Sequence, residues 1–319
     1  MESAQMESTR KSALSRPLTV GLLALVCCAL WGSAFPCIKL GYAYFAIGSG
    51  DTAAQVLFAG LRFTLAGALT ILIGSVLHRR ALVPARASLP KIVKLSLMQT
   101  VIQYIFFYVG LAHTSGVKSS IIESSTVFLT ILAASLLFKQ ERMTLRKLLG
   151  CAVGFAGVVL INVAGQGVDM RVSLLGEGAI LISACAYALS SVMIKIYSRD
   201  ELPITLSGYQ FLLGGAVLIV CGLIAGGRIA QVSIQGLLML AYLALLSAVA
   251  YSLWGTLLKY NPVARVSIYG FMNPVCGVLL SALLLGESQN AFGAAGLAAL
   301  ALVCAGIWLV NGQQAGKRA

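Results

Sequence analysis

Apolar residues run along this chain in stretches of about 20, the length that crosses a bilayer as an α-helix, with short polar segments between them. The stretches predict helices near 18–38, 54–77, 93–113, 115–137, 145–163, 175–197, 204–226, 235–258, 264–285 and 290–310. No intervening segment is long enough for a soluble domain, and the only linker candidate is the loop from Gly165 to Val172. The pattern also repeats. Arg62-Phe63-Thr64-Leu65-Ala66-Gly67-Ala68 returns as Gln210-Phe211-Leu212-Leu213-Gly214-Gly215-Ala216, a shift of 148 residues. Trp31 through Lys39 is echoed by Tyr187 through Lys195, and the halves close on GVVLIN to Asn162 and GIWLVN to Asn311.

The expected organisation is therefore a tail at 1–17, a first five-helix repeat at 18–163, a connecting loop at 164–174, a second repeat at 175–311 and a tail at 312–319. Five spans are an odd number, so the second copy enters the membrane upside down. Inverted repeats of this kind build alternating-access transporters with a site near the midplane. The expected fold is an all-α integral membrane protein, ten transmembrane helices in two inverted five-helix repeats.

Composition agrees, since 59% of residues are hydrophobic, 10% are charged and the mean hydropathy is +0.92. A soluble chain could not cover that much apolar surface. The net charge of +13 raises nucleic acid as a partner, but such a surface needs its basic residues clustered on one folded face. Here they sort by loop. The outer loops hold Lys39, Lys118, Arg171 and Arg228, Arg62 lies within a span, and the rest of the 23 fall on the other side. The positive-inside rule then places both termini in the cytoplasm of a multi-pass cell (inner) membrane protein. The expected partners are a small-molecule substrate and the bilayer, without nucleic acid, and a homodimer is left open.

A basic segment, Arg10 to Arg16, followed by an apolar run resembles a signal peptide. The run from Leu18 to Leu40 is long enough to span, however, and part of it recurs in the second half, so it is expected to be retained. The eight cysteines all lie in apolar stretches with no Cys-x-x-Cys, and there are two His. Neither a zinc site nor a disulfide framework is indicated, and no cofactor is expected. There is no Walker phosphate loop, Gly-x-Ser-x-Gly elbow or His-Glu-x-x-His, so the chain does not read as an enzyme or an ATP-driven pump.

The informative polar residues are those a bilayer should reject. Arg62 and Glu123 fall inside the second and fourth spans, where a charge costs several kcal/mol unless paired or wetted. Each lies about seven residues from the outer end of its span, roughly 10 Å deep, and an Arg62–Glu123 pair is expected. Glu123 reads either as a proton- or substrate-coupled carboxylate or as half of a fixed salt bridge. Ser119, Thr126 and Thr130 share its helical face, as a cavity wall or as helix–helix hydrogen-bond donors. Gln99, Gln103 and Phe107 form a face of the third span, and Gln210 occupies the position matched to Arg62. Trp31 and Phe35 on the first span, Tyr187 on the sixth and Tyr251 on the eighth would make aromatic walls for a substrate with an apolar or cationic part, or simple packing. Asn273-Pro274 marks a kink in the ninth span, with Asn273 either binding substrate or satisfying the kink. Trp254 reads as an interfacial belt residue and Lys118 as snorkelling. Glu141, Glu177 and Glu287 read as helix-end or headgroup-level groups, and Gly150, Gly154, Gly157, Gly293 and Gly296 as packing surfaces.

Trp31-Gly32-Ser33 with Phe35 and Lys39, the Arg62-Phe63 pair, the Gly110-Leu111-Ala112-x-Thr114-Ser115 turn, Glu141 nine residues before Gly150, Asn273-Pro274, and Leu285-Gly286-Glu287 nine residues before Gly296 occur in that order. Together they resemble the EamA type of the drug/metabolite transporter superfamily over about residues 18–311. One departure is Thr126, opposite Pro274 in the repeat, where the family often has proline. The resemblance implies a ten-helix transporter, commonly an exporter of small metabolites or drugs, with a cavity built by helices 1 to 4 and 6 to 9 and with helices 5 and 10 on the periphery. The expected function is alternating-access transport of a small organic metabolite or drug-like compound, more readily outward, with proton coupling through Glu123 left open. An obligate exchanger of phosphorylated or nucleotide-linked sugars is an alternative, disfavoured because only Arg62 is deep. A membrane scaffold without transport is another.

Overall fold

The computed structural model describes residues 13–114, 116–163, 173–285 and 294–312, and only the backbone of Phe35, Gly116, Val117, Val278 and 281–285. Among these residues nine helices are long and apolar enough to cross a membrane. Eight follow one another: α1 (Pro17–Tyr44), α2 (Thr52–Leu77), α3 (Arg86–His113), α4 (Lys118–Leu137), α5 (Leu145–Val163), α6 (Leu174–Tyr197), α7 (Pro203–Ile224) and α8 (Ile234–Tyr260). A broken stretch comes next, with a helical turn at Val263–Ser267, a 3-10 turn at Ile268–Phe271 and then α9 (Met272–Leu285). The ninth long helix, α10 (Ala294–Asn311), ends the fold. Glu287, Gly293, Ser115 and the loop from Gly165 to Val172 lie outside the described residues.

The ninth expected span is thus shorter as regular helix than the apolar run suggested. Pro274 has no N–H to offer the Gly270 carbonyl, so the backbone upstream tightens into the 3-10 turn that contains Gly270. At the other boundaries α1 runs on to Tyr44 and α3 begins at Arg86. The start of α3 is amphipathic: Ile92 and Leu95 are buried while Lys94 is exposed, so an apolar window begins too late. Helix starts follow two local rules. Asp51, Ser173 and Ser233 accept hydrogen bonds from the backbone N–H three residues on, at 2.9, 3.2 and 3.0 Å. Three other helical starts carry proline in the first turn, where its missing N–H costs nothing.

Packing runs across the two halves. α2 lies directly against α7: a Cβ on Gly215 would stand 2.4 Å from the Thr64 nitrogen, and one on Gly67 would stand 2.6 Å from the Leu212 nitrogen. α5 meets α10 equally closely, with the Gly306 position 2.6 Å from the Gly150 carbonyl. In a membrane the lipid competes with apolar side chains on equal terms, so such backbone-to-backbone approach is what holds helices together. α1 packs on α8 and α9, and α6 packs on α3 and α4. Adding five to each helix number, and continuing from the beginning after ten, maps these pairings onto themselves.

Candidate substrate site

The site forms where α1, α2, α3, α7 and α8 converge. Trp31 of α1 sits edge-on to Tyr251 and Trp254 of α8, with ring centroids at 5.2 and 5.1 Å. Phe63 of α2 lies between Tyr104 of α3 at 4.4 Å and Phe211 of α7 at 5.1 Å. Phe211 meets the edge of Tyr251 at 4.9 Å, closing the ring of contacts. The hydroxyls of Tyr104 and Tyr251 share a hydrogen bond of 3.1 Å. Phe107 continues the wall against Tyr108 at 5.6 Å, and Tyr187 packs against the same cluster from α6.

Arg62 enters this cluster and is 3% exposed. Its Nε and Nη2 donate to Ser247 Oγ of α8 at 3.1 and 2.9 Å, and Nε also donates to the Leu243 carbonyl at 3.4 Å. The guanidinium carbon stands 5.1 Å from the centre of the Phe63 ring. At the matched position on α7, Gln210 is completely buried. It accepts from Thr100 Oγ1 at 2.7 Å and donates to Gln99 Oε1 at 3.2 Å. Gln99 and Thr100 occupy a widened π turn, Leu97–Ile102, within α3. Gln210 is therefore part of a helix-crossing network.

The expected Arg62–Glu123 pair is not formed. Among the described residues Arg62 bonds only neutral oxygens, and no ion pair involves Glu123. Equal depth does not bring the side chains together, because Arg62 reaches across to α8. Glu123 lies just before a break in α4, where the Ser124 and Ser125 hydroxyls donate back to the Ser120 and Ile122 carbonyls at 2.7 and 2.6 Å. Among the described residues its covered Oε2 has no hydrogen-bond partner, and neither have the covered hydroxyls of Ser119 and Thr130 on the same face. Gln103 Oε1, Asn273 Oδ1 and the indole nitrogens of Trp31 and Trp254 are also covered and unpartnered. Such groups are few in native proteins, and each calls for a reason. Thr126 opens the second part of α4 and Asn273 the first turn of α9; neither joins the aromatic contacts. The Phe35 side chain lies outside the described residues.

Three residues read from sequence as membrane-surface groups are covered or paired by neighbouring helices. Trp254 is 5% exposed because α1 covers it, so it belongs to the aromatic cluster and not to a belt. Lys118 pairs with Glu177 at 3.0 Å. Glu177, itself 9% exposed, also accepts from Thr114 Oγ1 and from the Ser173 N–H at 2.7 Å, which ties the start of α6 to the turn between α3 and α4. At the other end of α6, Lys195 donates to the Leu258 carbonyl at 2.8 Å and to the Asn261 carbonyl. Glu141 receives Lys147 Nζ at 2.7 Å and the Ala264 N–H at 2.8 Å. Among the described residues no group of three His, Cys, Asp or Glu could hold a metal ion.

Tyr104, Tyr108, Ser247, Phe63 and Phe211 were not singled out from sequence as site residues. Two signals pointed to some of them: Ser247 is the position matched to Gln99 in the repeat, and Trp254 follows Tyr251 by one helical turn.

The family model described as the EamA-like transporter family matches residues 18–163 and 174–312. An Escherichia coli K12 protein named as the uncharacterized inner membrane transporter YedA is 30% identical over 280 residues, covering 86% of this chain and 85% of its own. A Salmonella typhimurium protein named as a probable amino-acid metabolite efflux pump is 27% identical over 305 residues, covering 91% of this chain and 93% of its own. A solved crystal structure at 17% identity superposes with a TM-score of 0.77 over 94% of this chain and 99% of that one, a likeness of fold.

Proposed function

The chain belongs to the EamA-like transporter family, and from that premise we propose that this membrane transporter exports a small organic metabolite by alternating access, driven by the proton gradient through Glu123. It is a multi-pass protein of the inner membrane. Residues 18–163 and 175–311 are two inverted five-helix copies joined by 164–174, α9 with its preceding turns makes the ninth of ten crossings, and the tails at 1–17 and 312–319 are cytoplasmic. The matched pairing of helices across the halves and the sorting of basic residues by loop support that topology. Relatives named as an inner membrane transporter and as an amino-acid metabolite efflux pump support the location and the outward direction.

The observation that carries the reading is the aromatic cluster itself. Both halves contribute to it, Arg62 is buried in it with no counter-ion among the described residues, and Glu123 Oε2 is covered on α4 with no hydrogen-bond partner among them. Charges at this depth are costly and mark substrate or ion pathways. The test is counterflow and net uptake of a mixed amino-acid and amphiphilic-cation panel into proteoliposomes, with and without a pH gradient, in the native chain and Glu123→Gln. Flux that responds to the gradient and loses that response in the variant is expected. Flux indifferent to both removes the coupling role of Glu123, and no flux with any solute removes the transport reading.

A further inference from the structure

Resting on the alternating-access topology proposed above, we infer that Lys195 and Lys39 are matched gate residues. Lys195 holds the cytoplasmic mouth shut in the conformation seen here, and Lys39 holds the outer mouth shut in the opposite one, each by donating to the last carbonyls of a helix in the facing bundle. The bundles are set by packing: α1 lies on α8 and α9, and α6 lies on α3 and α4. Each is tied within itself. Asn261 Nδ2, at the end of α8, donates to the Leu14 carbonyl ahead of α1 at 2.9 Å, and Thr114, at the end of α3, donates to Glu177 at the start of α6. At the cytoplasmic ends, side chains of the second bundle bond the backbone of the first. Lys195 donates to the Leu258 carbonyl at 2.8 Å and to the Asn261 carbonyl, and Glu141, just past α4, accepts the Ala264 N–H at 2.8 Å. The final carbonyls of a helix have no partner within it, and an ammonium group both donates to them and offsets the negative end of the helix dipole.

The repeat matches Lys195 to Lys39, the last residues of the echoed segments Tyr187 to Lys195 and Trp31 to Lys39. It also matches the end of α8 to the end of α3. Both cap residues are extended, Asn261 with φ −129° and ψ 159° and Thr114 with φ −144° and ψ 168°. Counted back from those caps, the carbonyls that Lys195 engages, Leu258 and Asn261, correspond to Leu111 and Thr114. Lys39 does not engage them here: it is exposed, and among the described residues it has no hydrogen bond or ion pair. Nor does α1 touch α3 as extensively as α6 touches α8. Two copies of one pattern therefore stand in different arrangements, joined at the inner mouth and apart at the outer one. Rocking one bundle against the other exchanges the arrangements, because inverted repeats make the conformation of each half available to the other. Lys39 then meets Leu111 and Thr114 as Lys195 leaves Leu258 and Asn261.

The experiment is hydrogen–deuterium exchange of the purified full chain in lipid nanodiscs, read by mass spectrometry over residues 193–199 and 257–265, the segments that meet at the inner mouth. Exchange there reports the population of the state that opens them. Lys195→Met keeps the apolar stem and removes the donor, and it should speed exchange in both segments roughly tenfold. Lys39→Met disfavours the opposite conformation and should slow exchange in the same segments, again roughly tenfold. The double variant should return close to the native rate. Damage to folding speeds exchange, so slowing at the inner mouth by a substitution near the outer one separates a gate from a structural role. A Lys39→Met variant that leaves the inner segments unchanged or speeds them overturns the inference, as does a Lys195→Met variant that leaves them unchanged. Solute flux of the native chain in proteoliposomes is read beside it. Flux without this exchange pattern would remove the gate and leave transport intact, whereas the pattern without flux of any solute would keep the gate and remove the transport reading.

Discussion

Arg62 and Ser247 are joined across α2 and α8 by hydrogen bonds of 3.1 and 2.9 Å, and the residues the repeat matches to them, Gln210 and Gln99, meet across α7 and α3 at 3.2 Å. The same contact has been kept twice, once charged and once neutral. Ser247→Ala leaves the guanidinium with a single backbone carbonyl. Hydrogen bonds to charged groups contribute about 1.5–3 kcal/mol, so thermal unfolding of the purified variant in detergent should show a loss of that order, and Ser247→Thr should recover most of it. An unchanged Ser247→Ala midpoint would mean that Arg62 finds another acceptor at no cost.

The α2–α7 contact is the least forgiving in the fold. Gly215→Ala would put a carbon 2.4 Å from the Thr64 nitrogen, against backbone that cannot swing aside. Overpacking of this kind costs about 1–3 kcal/mol. Gly48→Ala, with nothing within 4 Å of the added carbon, should be close to neutral. Comparing the two midpoints by the same unfolding assay checks the crossing, and equal behaviour would contradict it.

Lys118 and Glu177 should be energetically coupled. Their side chains are mostly covered, at 14% and 11% exposure, so water screens them less than a surface pair. A double-mutant cycle with Lys118→Met and Glu177→Gln should give a coupling of about 0.5–3 kcal/mol. A value near zero would return Lys118 to the snorkelling role its sequence position suggested.

Asp200 offers a pH test away from the spans. The Lys91 hydrogen bond, and then its charge, hold the Asp200 carboxyl below its ordinary range. Because the folded value is depressed, the stabilisation is fully present above the unfolded value of roughly 4 and is lost as pH falls through the folded one. Asp200→Asn should therefore be slightly less stable than the native chain at neutral pH, and the two should converge in acid. The difference should be small, since the carboxylate is 66% exposed. A gap that widened in acid would have the wrong sign.

Most of the architecture was legible from runs of 20 apolar residues and from the repeat, because a bilayer demands continuous helices of that length and little else. Arg62, Trp31, Tyr251 and Tyr187 could be picked out by depth and by their matched positions. Sequence gives depth along a helix, however, and not the direction in which a side chain leaves it once neighbours are in place. That is why Arg62 was matched with Glu123 and found Ser247, a small hydroxyl 185 residues away with no charge to advertise it. Trp254 was misplaced for a related reason: its distance from the end of α8 suggested the membrane surface, but α1 lies over it. Glu177 and Lys118 each looked like an isolated surface charge, and their pairing depends on a turn between α3 and α4 meeting the start of α6.

Each helix of the first half has its most extensive partner in the second, and this bears on how the chain is made. A ribosome adding roughly 5–20 residues per second needs about 10–40 s to go from Arg62 to Ser247. Through that interval the guanidinium is already in the membrane and its acceptor has not been synthesised. The glycine faces of α2 and α5 likewise wait against lipid or an insertion partner for α7 and α10 to emerge. Assembly is therefore a closing event late in translation, and damage to α8 or α10 should strand an inserted, otherwise intact first half for the cell's quality-control proteases.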